Sequence, residues 1–187
     1  RVLFRSCDGY AYDPENPSQH IIDMSENEIE VPEDYTREEL RQDLLCYTSP
    51  VLKEDLVLTG DMTAELYISS DAPDTDFVVR VTDVDENGRS IKLADGLLSA
   101  RYRNGFARSE FLQEGEIVCL KIRTTKLSNC FRKGHRIRVT VTSSAKNFIF
   151  PNSNTREGFA SARTVVAHNR VYHGGLHASR LTVRVEP

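Results

Sequence analysis

Phe77-Val-Val-Arg-Val-Thr-Asp-Val84, then Asp85-Glu-Asn87-Gly88, then the run Ser90–Tyr102 form the stretch that decides the fold. Two runs of strand length are joined by Asn87-Gly88, a pair that accepts positive φ at both central turn positions, so the segment reads as a β-hairpin. Upstream, Thr63–Ser69 sets Ala64, Leu66 and Ile68 against Thr63, Glu65 and Tyr67, a period of two. Glu116–Thr124, Arg136–Thr142 and Leu181–Val185 alternate in the same way. Gly60, Gly105, Gly115, Gly134 and Gly174-Gly175 punctuate the boundaries. One short helix is expected over Tyr35–Leu45, with Thr36 as N-cap and Glu39 completing a capping box, although Asp43–Thr48 equally suits the start of a strand. The fold class is therefore all-β, an antiparallel β-sandwich or jelly roll with at most that one helix. No βαβ alternation occurs, so the chain holds no α/β-hydrolase core of its own.

The 187 residues suit one domain, and a domain of that size buries roughly 70% of its unfolded surface. A net charge of −4 without a basic stripe argues against nucleic acid, and no polybasic segment or spanning apolar run points to a membrane. Cys7, Cys46, Cys119 and Cys130 show no CxxC pairing, which favours buried free thiols in a reducing compartment over disulfides or zinc. The expected location is cytoplasmic, with export of a longer parent left open. Arg1–Ser6, RVLFRS, connects to nothing that follows and back-translates as CGT GTG CTC TTC CGA TCT, like the tail of a sequencing adapter. Residues 1–6 are expected to be non-native, on a chain that continues upstream.

Chemistry-bearing patterns are sparse. No serine lies in a Gly-x-Ser-x-Gly elbow, so no nucleophilic triad is expected. Asp83–Gly88 matches the first half of an EF-hand loop, but Ala94 stands where the bidentate Glu belongs. No cofactor is expected, beyond a weak structural calcium site in the acidic run Asp71, Asp74, Asp76, Asp83 and Asp85. Asp74 and Asp76 are assigned to organising the turn before Phe77. His135, between Gly134 and Arg136 at a strand entrance, is assigned a structural hydrogen bond. His173 and His177 are separated by Gly174-Gly175, which denies them one helical face. Tyr10, Tyr12, Tyr102, Phe106, Phe148 and Phe150 allow a sugar platform, but Trp, the best stacking residue, is absent.

The order of several motifs goes further. Tyr12-Asp-Pro14-Glu-Asn-Pro17, Arg41-Gln-Asp43-Leu-Leu-Cys-Tyr47-Thr-Ser49 and Val57-Leu-Thr-Gly60 come first. Ser69-Ser-Asp71-Ala-Pro-Asp74-Thr-Asp76-Phe77, Leu93-Ala-Asp95-Gly96 and Arg101-Tyr102-Arg103 follow. Ser128–Arg138 with its Gly134-His135-Arg136, Asn152-Ser-Asn154-Thr, and Val171-Tyr172-His173 through His177-Ala-Ser179-Arg180-Leu181 complete the series. In this order they resemble the C-terminal non-catalytic domain of the X-Pro dipeptidyl-peptidase and cocaine-esterase-like hydrolases. The departures are Ala178 where the family usually carries Pro, and a stretch after Pro17 lacking the usual Gly-Gly.

The resemblance implies a jelly roll of the galactose-binding-like type, packed on an upstream α/β-hydrolase domain that owns the whole Ser-Asp-His triad. It implies hydrolysis of amides or esters by that parent. It also implies that the loop after the Tyr-Asp-Pro motif reaches the active-site mouth, so that His20, Ile21, Ile22 and Met24 line an acyl pocket. The expected domain layout is non-native sequence at 1–6, a lead-in or linker segment at 7–54 packing on the hydrolase domain, and the sandwich at 55–187. The competing functions are an autonomous carbohydrate-binding module and a structural subunit that makes homo-oligomer contacts through a sheet face or edge.

Overall fold

The structure, a computed structural model, describes residues 7–21 and 32–183. Ile22, Met24, residues 1–6 and the end of the expected Leu181–Val185 strand lie outside the described residues.

Alternating side chains hide one face of a strand only if a second sheet covers it, and the chain builds two sheets to do so. Its strands are β1 (Cys7–Tyr12), β2 (Leu44–Thr48), β3 (Leu56–Gly60), β4 (Thr63–Ser70), β5 (Asp76–Val84) and β6 (Ser90–Ser99). They continue as β7 (Val118–Arg123), β8 (Leu127–Phe131), β9 (Arg136–Thr142), β10 (Ala167–Gly174), β11 (His177–Ala178) and β12 (Arg180–Thr182). One sheet runs β1-β10-β4-β12, with β7 also on β4 and β11 on β10; the other runs β2-β9-β5-β6. β3 and β8 form a separate ribbon, and every strand pair is antiparallel. Tyr10, Leu66, Ile68, Leu120 and Val171 of the first sheet meet Phe77, Val79 and Val141 of the second in one apolar core. Each such large side chain, fully buried, contributes about 1.5–3 kcal/mol. A smaller cluster of Leu58, Met62, Val81, Ala94 and Phe131 lies beside it, and Leu181 packs against both.

Three expectations are corrected. The lead-in is not a linker: β1 pairs with β10 and β2 with β9, so residues 7–12 and 44–48 belong to the two sheets. Between these strands, the described parts of 13–43 cover the outer face of β5 and β9. Tyr35 lies over the Arg80 guanidinium at 4.7 Å from the ring centroid, and Arg80 is only 1% exposed. Outward-facing Arg80 and Thr82 are therefore buried, contrary to a simple alternation of core and solvent.

The helix expected over Tyr35–Leu45 is a single 3₁₀ turn, Glu38–Leu40. Thr36 does not cap it. Its backbone N–H and hydroxyl both donate to Asp34 Oδ1, while its oxygen accepts the Ser90 N–H at 2.9 Å. Glu39 turns into the sheet instead, accepting from Ser90 Oγ at 2.8 Å and from Arg138 Nη1 at 2.5 Å.

The hairpin between β5 and β6 is present, but its turn differs. Only Gly88 has positive φ, +84°, and the Asp85 carboxylate takes the N–H groups of Asn87 and Arg89 at 2.8 and 2.9 Å. An Asp side chain that satisfies two turn donors favours this wider loop over the two-residue form. The register shifts between Val81 and Thr82, which pair with Ala94 and Lys92, leaving Leu93 of β6 as the bulged residue.

Candidate functional site

The loop that begins at His20 has a built root. The His20 N–H donates to the Lys146 carbonyl at 2.7 Å, and its ring stacks on Phe148 at 5.0 Å between centroids. Lys92 Nζ lies 2.8 Å from His20 Nε2, 2.8 Å from Glu33 Oε1 and 3.0 Å from Asp95 Oδ2. One lysine from β6 thus ties His20, where the chain enters the segment, to Glu33, where it leaves. Burial works to raise the Asp95 carboxyl, but the hydrogen bonds and charges of His20 and Lys92 outweigh it and hold the group down at about 2. Ile21 donates its N–H to the Tyr35 hydroxyl at 3.1 Å and leaves its side chain exposed. Arg80 Nη2 completes the base by donating to the Gln19 carbonyl at 3.2 Å and to the Ser144 carbonyl at 3.4 Å. A hollow of about 270 Å³ opens beside the root, between Val78, Leu97, Thr124 and Phe148, with Asp95 in its wall.

An aromatic rim adjoins the root on the connection between β9 and β10. Phe148 is half exposed, and Phe150 and Phe159 are 78% and 72% exposed yet stacked on each other at 5.8 Å. Beneath them, Asp74 accepts from Arg101 Nε at 2.7 Å, from the Arg101 N–H at 3.0 Å and from Asn152 Nδ2 at 2.7 Å. Asn152 Nδ2 also reaches Asp76 at 2.9 Å, and Arg101 donates to the carbonyls of Thr155 and Arg156. Asp74 and Asp76 therefore bind distant loops together rather than a local turn. Burial pushes the Asp76 carboxyl above its ordinary range.

The other candidates are scattered. His135 Nδ1 pairs with Asp83 at 2.9 Å, His168 Nδ1 with Asp71 at 2.7 Å, and His173 Nε2 with Asp8 at 3.1 Å. His177 lies against Tyr67 and Tyr172, apart from any pairing with His173. Among the described residues, none of the three Asp–His pairs has a serine or cysteine on its second ring nitrogen, and no group of three or more His, Cys, Asp and Glu is placed to hold a metal. Gly134, at φ +91°, donates its N–H to Leu52, and Arg136 donates to the Ser49 carbonyl, so this strand entrance pins the chain between β2 and β3. Tyr10 and Tyr12 sit inside the core and are closed to a sugar. The thiols are free, but Cys46 is exposed on the outer side of β2 rather than buried. Sequence patterns gave no role to Arg80, Lys92 or Phe159 and named Asp95 only as part of a resemblance motif; the local signal at Arg80 and Lys92 was charge at strand positions whose outward side looked solvated.

A family profile described as the X-Pro dipeptidyl-peptidase C-terminal non-catalytic domain matches residues 2–182. The cocaine esterase of Rhodococcus sp. (strain MB1 Bresler) is 35% identical, over 96% of this chain and 32% of its own length. An aminopeptidase from a marine sediment Thaumarchaeota archaeon superposes with a TM-score of 0.90 at 24% identity, over all of this chain and 34% of that one. An alpha-amino acid ester hydrolase superposes at 0.91 with 22% identity, over 97% of this chain and 33% of that one. The chain spans about a third of the length of the relatives it matches. With a profile match over nearly its whole length, carried on a two-sheet antiparallel fold, the chain belongs to the X-Pro dipeptidyl-peptidase C-terminal non-catalytic domain family.

Proposed function

We propose that this chain braces the α/β-hydrolase domain of a serine hydrolase and helps shape its acyl pocket. The observation that carries the proposal is the pairing of a pinned loop root at His20 with the exposed aromatic rim of Phe148, Phe150 and Phe159. Stacked, solvent-facing phenylalanines on a loop fixed by Asp74, Arg101 and Asn152 suit a surface that another domain covers. The stretch from His20 and Ile21 to Ile22 and Met24 then faces the substrate, where a mostly apolar wall fixes an acyl group by burial. The parent's reaction on this reading is amide or ester hydrolysis. A carbohydrate-binding role is not favoured, since two of the aromatic rings it needs belong to the core.

The test is made on the protein expressed from its complete reading frame. Ile21→Ala and Met24→Ala are expected to change the ratio of kcat/KM between short and branched acyl groups at least threefold. Unchanged ratios for both variants across the series contradict pocket shaping. Phe150→Glu with Phe159→Glu is expected to loosen the domain pair, seen as separate unfolding transitions. A single transition at the wild-type temperature contradicts docking through this rim.

A further inference from the structure

Where β1 begins and β10 ends, the two sheets of the sandwich do not close on each other. An open cavity of about 420 Å³ lies between their inner faces, walled by Leu66, Val139, Val171 and Leu181. That volume falls in the range of roughly 300–1,000 Å³ typical of small-molecule sites, which are mostly apolar with a few placed polar groups. The polar groups here come from strand phase. Asp8 shares the inward side of β1 with buried Tyr10 and Tyr12, and His173 shares that of β10 with Val171 and Asn169. Inward positions of a sandwich are normally apolar and interdigitate. In this cavity they carry a carboxylate and an imidazole 3.1 Å apart, with the Tyr47 ring edge-on to His173 at 5.7 Å. Burial, with the charge on Asp8 adding to it, raises the Tyr47 phenol. A second apolar hollow behind Leu181, lined by Leu56, Leu58, Met62 and Ile137, has no charged side chain in its wall.

We infer that the cavity between the sheets is a binding site for a small organic amine, its ammonium on Asp8 and Tyr47 and its branched or aromatic body among Leu66, Val139, Val171 and Leu181. The sign of the ligand follows from which charges are already committed. Arg180, at the mouth, is engaged by Glu65, which also pairs with Lys121 at 3.5 Å. Among the described residues the ion-pair partner of Asp8 is the His173 imidazole, and an imidazole neutralises a carboxylate only while it holds its second proton. A ligand ammonium supplies a permanent cation at that point, and an aromatic ring beside the carboxylate adds cation–π attraction. This inference does not depend on the proposed partner domain.

The experiment titrates this chain by NMR with three probes of one skeleton: phenethylamine, phenylacetate and benzyl alcohol. The amine is expected to bind saturably, at least tenfold more tightly than the acid or the alcohol, with shifts at Leu66, Val139 and Val171. Asp8→Asn is expected to weaken amine binding at least tenfold. Tyr47→Leu is expected to weaken it severalfold, and it serves where Asp8→Asn fails to fold. Equal or tighter binding of the acid or the alcohol, amine binding indifferent to both substitutions, or no saturable binding of the amine overturns the inference. The ranking on the unsubstituted chain decides the ligand class by itself.

Discussion

The Glu39 carboxylate lies 2.5 Å from the Arg138 guanidinium, and this contact fastens the covering segment to the outer face of the second sheet. The same carboxylate accepts from Ser90 Oγ at 2.8 Å, so a single side chain joins the 3₁₀ turn to β6 and β9. Its burial makes the contact costly to break, because removing one partner leaves the others unpaired away from water. Glu39→Ala is expected to destabilise the chain by about 2–4 kcal/mol in urea unfolding. Glu39→Gln, which keeps an acceptor for Ser90, is expected to cost less than half as much. Equal stability of Glu39→Ala and wild type contradicts the anchoring role.

Asp95 gives the fold an acid limit. Its folded-state value of about 2 lies below the ordinary 3.8, so the unfolded chain binds more protons across that interval. The stabilisation is fully present above about pH 4 and is lost as the pH falls through about 2, amounting to about 2 kcal/mol. Asp95→Asn is expected to be less stable at pH 6 and to show a shallower fall in stability between pH 4 and pH 2. Parallel pH profiles for the two proteins contradict the assignment.

Gly96 of β6 packs directly against the backbone at the end of β7. A Cβ there would lie 2.4 Å from the Arg123 carbonyl oxygen, which is backbone and cannot swing aside. At Gly134 the obstruction is the end of the Glu86 side chain, which can move, although φ of +91° adds strain. Gly96→Ala is therefore expected to cost about 2–3 kcal/mol and Gly134→Ala about 1–2 kcal/mol. Thermal unfolding of the two variants checks the order, and the reverse order contradicts it.

The sandwich was legible where local pattern and tertiary role coincide. Thr63–Ser69 and Arg136–Thr142 have one apolar face each, and they form β4 and β9. The hairpin after Val84 was legible from Asp85–Gly88 even though its turn form was not, because the Asp85 carboxylate decides it. The covering segment was illegible for a different reason. Nothing near Arg80 indicates that Tyr35 will lie over it, and a charged residue on the outward phase of a strand looks solvated. Glu39 looked like a helix cap because its spacing from Thr36 is correct, whereas its actual partners, Ser90 and Arg138, are remote in sequence. At the candidate site, His20 and Ile21 were picked from the resemblance. Lys92 and Asp95, which hold His20, are remote from it in sequence; Lys92 lies in no motif, and the motif that contains Asp95 says nothing of a partner at His20.

The most direct test of the account is to locate the serine that reacts with a fluorophosphonate. In that reaction a serine activated by a general base attacks phosphorus and displaces fluoride. The probe is applied to the protein from its complete reading frame and to this chain alone, and the adduct is mapped by mass spectrometry. The account predicts one stoichiometric adduct on a serine outside these 187 residues and no adduct on the chain alone. A stoichiometric adduct on any serine within residues 7–183 contradicts it.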